Sequence, residues 1–176
     1  GGAFSNHLAA TAFAGKEYGF KTIGVIRGEE LHDKWEDNAT LKLAHAHGMQ
    51  FHFISRDRYR EKESPSEIVH LKTLFESFYR LPEGGSNALA VRGCEEILTK
   101  EDAEFNVVCT SVGTGGTIAG ISNAVKPKQW VLGFPALKGE FLKEDIRSFT
   151  SKENWQLQTD YHFGGYAKVS AELIHF

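Results

Sequence analysis

Cysteine is scarce in this chain. Its 176 residues include only Cys94 and Cys109, which share no metal-ligand spacing and are too few for a disulfide framework. Cys94 falls on an expected helix and Cys109 ends an apolar run, so both are expected as reduced core residues. A dominant charge is also missing: 20 basic residues face 23 acidic ones, for a net charge of −3. No global basic field therefore draws the chain to nucleic acid or to a membrane surface. The densest cluster, Arg56-Asp57-Arg58-Tyr59-Arg60-Glu61-Lys62, mixes signs and runs into Ser64-Pro65-Ser66; it reads as an exposed connection. No apolar run approaches membrane-spanning length and no secretory leader is visible, so the cytoplasm is the expected compartment. Internal repeats are absent. His45 and His47 stand two apart, and such residues diverge on a helix, which argues against a metal pair.

What remains is an alternating pattern with enough apolar residues, 41%, to bury a core in one domain or two small lobes. A helix is expected from a Ser5 or Asn6 cap to Tyr18, stopped by Gly19. The strand Thr22–Ile26 follows, then a helix from about Asp37 to His47 with Leu41, Leu43 and Ala44 inward, then a strand over Met49–Ser55. Helix and strand alternate twice here, which implies a parallel sheet. Ser66–Arg80 suits a helix, with a short strand at Phe78–Leu81 as the alternative. Further helices are expected from Ala88 to Leu98, at Ile118–Val125, at Asp145–Phe149 and from Lys168 onward. Strands are expected at Asn106–Thr110, Trp130–Phe134 and Trp155–Tyr161. Pro82 and its paired glycines mark a boundary near residues 80 to 86.

The segment richest in chemistry is Ser111-Val112-Gly113-Thr114-Gly115-Gly116-Thr117-Ile118-Ala119-Gly120. It joins an apolar strand to a helix, and a glycine loop at a helix N-terminus suits a phosphate group. Glycines let backbone N–H groups turn inward, and the helix dipole adds partial positive charge. Two nucleotide signatures fail. The dinucleotide fingerprint needs a small residue where Ile118 stands and an acidic residue about 20 positions on. A P-loop needs lysine where Ile121 stands. A compact monophosphate cup remains, with the Thr114 and Thr117 hydroxyls beside the backbone donors; the other reading is a tight turn without a ligand.

Two more segments join this one in a fixed order: Gly1-Gly2-Ala3-Phe4-Ser5-Asn6-His7-Leu8-Ala9-Ala10 and Leu81-Pro82-Glu83-Gly84-Gly85-Ser86-Asn87-Ala88-Leu89. With the Tyr161–Tyr166 segment they span essentially the whole chain. Together they resemble the fold-type II pyridoxal-phosphate enzymes, the tryptophan synthase β superfamily, in its D-cysteine desulfhydrase/1-aminocyclopropane-1-carboxylate deaminase branch.

The resemblance implies an α/β, two-lobed parallel-sheet architecture. Residues 1–80 would form part of the small lobe and 81–176 part of the large cofactor-binding lobe, with pyridoxal 5'-phosphate in the cleft between them. Gly113, Thr114, Gly115, Gly116 and Thr117 would take the cofactor phosphate, and Asn6 its 3' oxygen. Ser5 and His7 would lie at the carboxylate of a small amino-acid substrate, with Ser5 and Tyr166 as catalytic candidates. Ser5-Asn6-His7 also reads as a simple helix cap, and Tyr166 as a core or surface tyrosine. Gly84, Gly85, Ser86 and Asn87 are expected to shape the connection between lobes.

The implied reaction is β-elimination that yields pyruvate, ammonia and sulfide, or opening of a cyclopropane ring. His7 matches the desulfhydrase pattern, whereas Leu8-Ala9-Ala10 lacks the arginine often found next in both groups. The family's Schiff-base lysine precedes the Gly-Gly-x-x-Ser-Asn segment, which stands first here. The chain is therefore expected to be an inactive piece of a longer homodimeric enzyme. Lys16 and Lys21 read as surface charges, not substitutes for that lysine. A rival of another class is a non-catalytic module that binds phosphate or a partner.

Overall fold

The computed structural model describes residues 1–137, 141–165 and 168–176. It is an α/β protein whose strands pair in parallel, and the chain divides into two compact units, Gly1–Arg80 and Leu81–Phe176.

In the first unit, helix α1 (Asn6–Tyr18) ends at Gly19, whose left-handed φ of 75° closes the last turn as only glycine does cheaply. Strand β1 (Ile23–Arg27) then pairs in parallel with β2 (Gln50–Ile54), Ile26 opposite Phe53. Between them runs α2 (Ala39–Ala46), capped by Asn38, whose side chain accepts from the Leu41 N–H at 3.0 Å. Leu8, Ala12, Ile26, Leu41, Ala44 and Met49 make the core. Leu43 was expected inward but is 51% exposed; on the observed helix the buried stripe falls on Leu41 and Ala44, three apart.

The charged cluster after β2 is largely exposed, as expected, with Tyr59 buried. It forms a short helix, α3 (Arg56–Arg60), capped by Ser55, and α4 (Pro65–Phe75) follows with Ser64 as its cap. The charges pair locally: Arg58 with Glu67 at 2.8 Å, Arg60 with Asp57 at 2.5 Å, and Arg56 with Glu30. Phe78–Leu81 forms no strand.

The second unit opens with α5 (Ala88–Cys94), shorter than the expected run to Leu98. Strand β3 (Val107–Val112), helix α6 (Gly116–Ala124), strand β4 (Trp130–Pro135), helix α7 (Phe141–Phe149) and strand β5 (Trp155–Leu157) then build a parallel sheet ordered β3-β4-β5. Strand β5 stops at Leu157 instead of reaching Tyr161, and α8 (Ala171–His175) ends the chain. Val112, Ile118, Ala119, Ile121, Val131, Leu142 and Ile146 form the core, so both crossover helices pack on the sheet face that carries Val112 and Val131.

The opposite face explains a second correction. Cys109 was expected in the core but is exposed, two residues along β3 from Val107 (51%), whose partner in register on β4 is the exposed Trp130 (53%). Alternation along a strand sends every second residue to the face that α6 and α7 leave uncovered. Cys94 is half-buried on α5, as a helical position allows.

Candidate functional site

Strand β3 runs two residues further than the sequence suggested, so Ser111 and Val112 belong to the sheet and the loop proper begins at Gly113. Gly115 turns the chain with φ of 86°, and α6 starts at the next residue. A Cβ on Gly115 would lie 2.7 Å from Cγ1 of Ile146, so the turn is closed to any side chain. Small residues also let α6 approach its neighbours: a Cβ on Gly120 would meet the Val91 carbonyl oxygen and Cys94 Cβ at 2.4 Å.

The consequence lies at the helix N-terminus. Ala119 N–H bonds to the Gly115 carbonyl at 3.1 Å, and no side chain caps α6. Among the described residues no acceptor takes the N–H of Gly116, Thr117 or Ile118, although Gly116 and Ile118 are buried. Buried N–H groups rarely go without a partner, and here they converge with the positive end of the helix dipole. Two hydroxyls stand beside them. Thr114 Oγ1 lies 2.5 Å from Ser86 Oγ, and Thr117 is exposed on the first turn.

Ser86 arrives from 28 residues away in sequence. A single-turn 3₁₀ segment, Glu83–Gly85, carries it onto the loop. Gly84, with φ of 72°, presses so close to Thr114 that a Cβ would sit 2.5 Å from its Oγ1 and Cγ2. The segment was expected only to shape a connection. Its packing on the loop was missed because a long-range contact leaves no local periodicity; the paired glycines were the available signal.

In the first unit, Ser5, Asn6 and His7 stand at the start of α1. The Ser5 carbonyl accepts the Leu8 N–H at 3.1 Å, closing the first turn, but the Ser5 hydroxyl makes no capping bond. No acceptor among the described residues takes the Asn6 or His7 N–H. These donors and the Ser5 hydroxyl remain free to bind an oxygen. Burial pushes the His7 pKa below its ordinary value, so the imidazole is neutral near pH 7.

Other candidates separate. Lys16 and Lys21 are exposed. His45 packs on Trp35 at 4.5 Å and His47 on Phe13 at 5.5 Å, apart from each other. Tyr166 lies outside the described residues. No described helix is long and apolar enough to cross a membrane.

No family model matches the chain. A Thermotoga maritima protein named, provisionally, 1-aminocyclopropane-1-carboxylate deaminase is 34% identical over 134 residues, 71% of this chain and 41% of that protein. The mitochondrial bifunctional D-cysteine desulfhydrase/1-aminocyclopropane-1-carboxylate deaminase of Arabidopsis thaliana is 32% identical over 137 residues, 69% of this chain and 34% of its own. A Pyrococcus horikoshii protein with the same provisional deaminase name is 26% identical, but the match takes in 98% of this chain and 58% of that protein. The chain thus spans about half the length of these relatives or less. Through these similarities the chain, with its parallel α/β architecture, is a distant relative of the fold-type II pyridoxal-phosphate enzymes.

Proposed function

We propose that the intact protein is a pyridoxal-phosphate-dependent lyase or deaminase of a small amino acid, D-cysteine desulfhydrase-like in its preference. The observation that carries this reading is the uncapped N-terminus of α6, where the N–H groups of buried Gly116 and Ile118 meet no acceptor among the described residues. The relatives supply the chemistry: deaminases and desulfhydrases of those names are pyridoxal-phosphate enzymes. The residues present fit that group, because a phosphate dianion satisfies convergent N–H donors and hydroxyls together.

On this reading Gly113, Thr114, Gly115, Gly116 and Thr117 hold the phosphate, and Asn6 hydrogen-bonds the 3' oxygen. Ser5 and neutral His7 orient the substrate carboxylate through hydrogen bonds. When bound, pyridoxal phosphate supplies an electron sink for negative charge left at the substrate Cα. Ser5 Oγ and the Tyr166 phenol are the groups proposed to hold or move protons. The Tyr166 role needs local tuning, since a free phenol titrates near 10. Residues 1–80 belong to the smaller lobe and 81–176 to the cofactor-binding lobe of a cytoplasmic homodimer. The cofactor lysine lies outside residues 1–176.

D-cysteine and water would give pyruvate, ammonia and hydrogen sulfide. The alternative substrate is 1-aminocyclopropane-1-carboxylate, which with water gives a four-carbon 2-oxo acid and ammonia; the double name of the Arabidopsis relative favours keeping it. The test is 2-oxo acid release by the intact protein with pyridoxal phosphate, offered each amino acid in turn. Pyruvate and sulfide from D-cysteine are expected, and no turnover from residues 1–176 alone. Absence of a 2-oxo acid from both substrates would sink the reading.

A further inference from the structure

We propose that Ser86 is a positioning residue of the phosphate site, holding the Thr114 hydroxyl in the rotamer that serves a phosphate monoester. This rests on the phosphate reading of Gly113–Thr117 above. Ser86 and Asn87 stand together before α5, and either residue type can cap a helix. Asn87 does so, accepting the Ala90 N–H at 2.9 Å. The Ser86 hydroxyl is thereby released from its own helix and bonds to Thr114 instead, at 2.5 Å. It also stands over the first residue of α6, where a Cβ on Gly116 would be 2.9 Å from Ser86 Oγ.

Three close approaches key the two segments together. Gly84 meets Thr114, Gly116 meets Ser86, and Gly120 meets Val91 and Cys94. Each contact tolerates no Cβ on the glycine without a shift, so the register of Ser86 over the loop is fixed by shape.

The proton count gives the pair its function. Two hydroxyls carry two protons, and their mutual bond uses one. The other is left to donate to an anion at the N-terminus of α6. Because the hydroxyls polarise each other, that donation is stronger than from a lone threonine. Without Ser86 the Thr114 hydroxyl rotates freely, and its donation to the ligand is no longer preorganised.

The experiment measures binding, not turnover. The purified protein is titrated with pyridoxal 5'-phosphate and separately with pyridoxal, and the ratio of the two dissociation constants reports the phosphate preference. Ser86→Ala is expected to weaken pyridoxal 5'-phosphate binding about tenfold, the worth of one hydrogen bond to a charged group, with pyridoxal unchanged. Ser86→Thr, which keeps a hydroxyl, should restore part of the ratio. If the alanine variant fails to fold, Ser86→Cys, nearly isosteric and a weak donor, takes its place with the same expected direction. An unchanged ratio, or equal weakening for both ligands, overturns the role of Ser86 and leaves the phosphate loop standing. A wild-type protein that binds the two ligands equally overturns the phosphate reading itself, and the role of Ser86 with it.

Discussion

At the scale of single residues, the loop depends on one backbone angle and a few unpaired donors. Gly115→Ala places a Cβ 2.7 Å from Ile146 at a φ of 86°, which should cost about 1–3 kcal/mol in a urea unfolding experiment. Histidines give a second prediction. The His52 pKa lies below its ordinary 6.5 because of burial first, then the positive charges of Arg58 and His70, with Glu67 opposing. Its Nε2 is buried without a partner among the described residues. The unfolded chain therefore binds a proton before the folded one does as pH falls. The resulting stability is fully present above about 6.5 and is lost as pH drops through that value toward the depressed one. His52→Gln should flatten the difference in urea midpoint between about pH 7.5 and about pH 5.5, and His7 adds to the same slope. The loop itself was legible from residue type, since glycine and threonine after an apolar run state their chemistry. The Ser86–Thr114 pair was not legible, because nothing local joins residues 28 positions apart.

At the scale of elements, glycines and caps punctuate the chain. Gly19 ends α1 as expected, whereas Asn87, read only as part of a connection, proves to be the cap that starts α5. The misjudged elements share a physical cause. Leu43 and Cys109 are apolar residues whose burial depends on what covers a face, and periodicity alone does not say which face is covered. Strand β5 and helix α5 end early because weak local patterns leave termination to tertiary contacts. The packing of α5 against α6 supplies a test. Gly120→Ala drives a methyl to 2.4 Å from the Val91 carbonyl oxygen and from Cys94 Cβ. Neither is the far end of a flexible chain, so the helices must separate. A loss of about 1–3 kcal/mol is expected by thermal or urea unfolding. If the variant is as stable as the parent, the close α5–α6 contact is wrong.

At the scale of the whole molecule, two compact units each carry their own core, one around Ile26 and Leu41 and the other around Ile118 and Ile146. Exposed residues Glu76–Leu81 join them without regular structure. Limited proteolysis should cut in this stretch first and leave α1 and α6 protected; early cleavage inside α6 would argue against its packing. The parallel α/β class followed from alternating patterns, and the relatives agree with it. On the proposed reading, activity belongs to the intact protein. Its most direct test is intact mass of the full-length gene product after borohydride reduction with and without pyridoxal 5'-phosphate. The account predicts one pyridoxyl group per chain, on a lysine outside residues 1–176, and much less of it when Gly115 is substituted. A product that gains no stoichiometric pyridoxyl group would contradict the claim that this is a pyridoxal-phosphate enzyme.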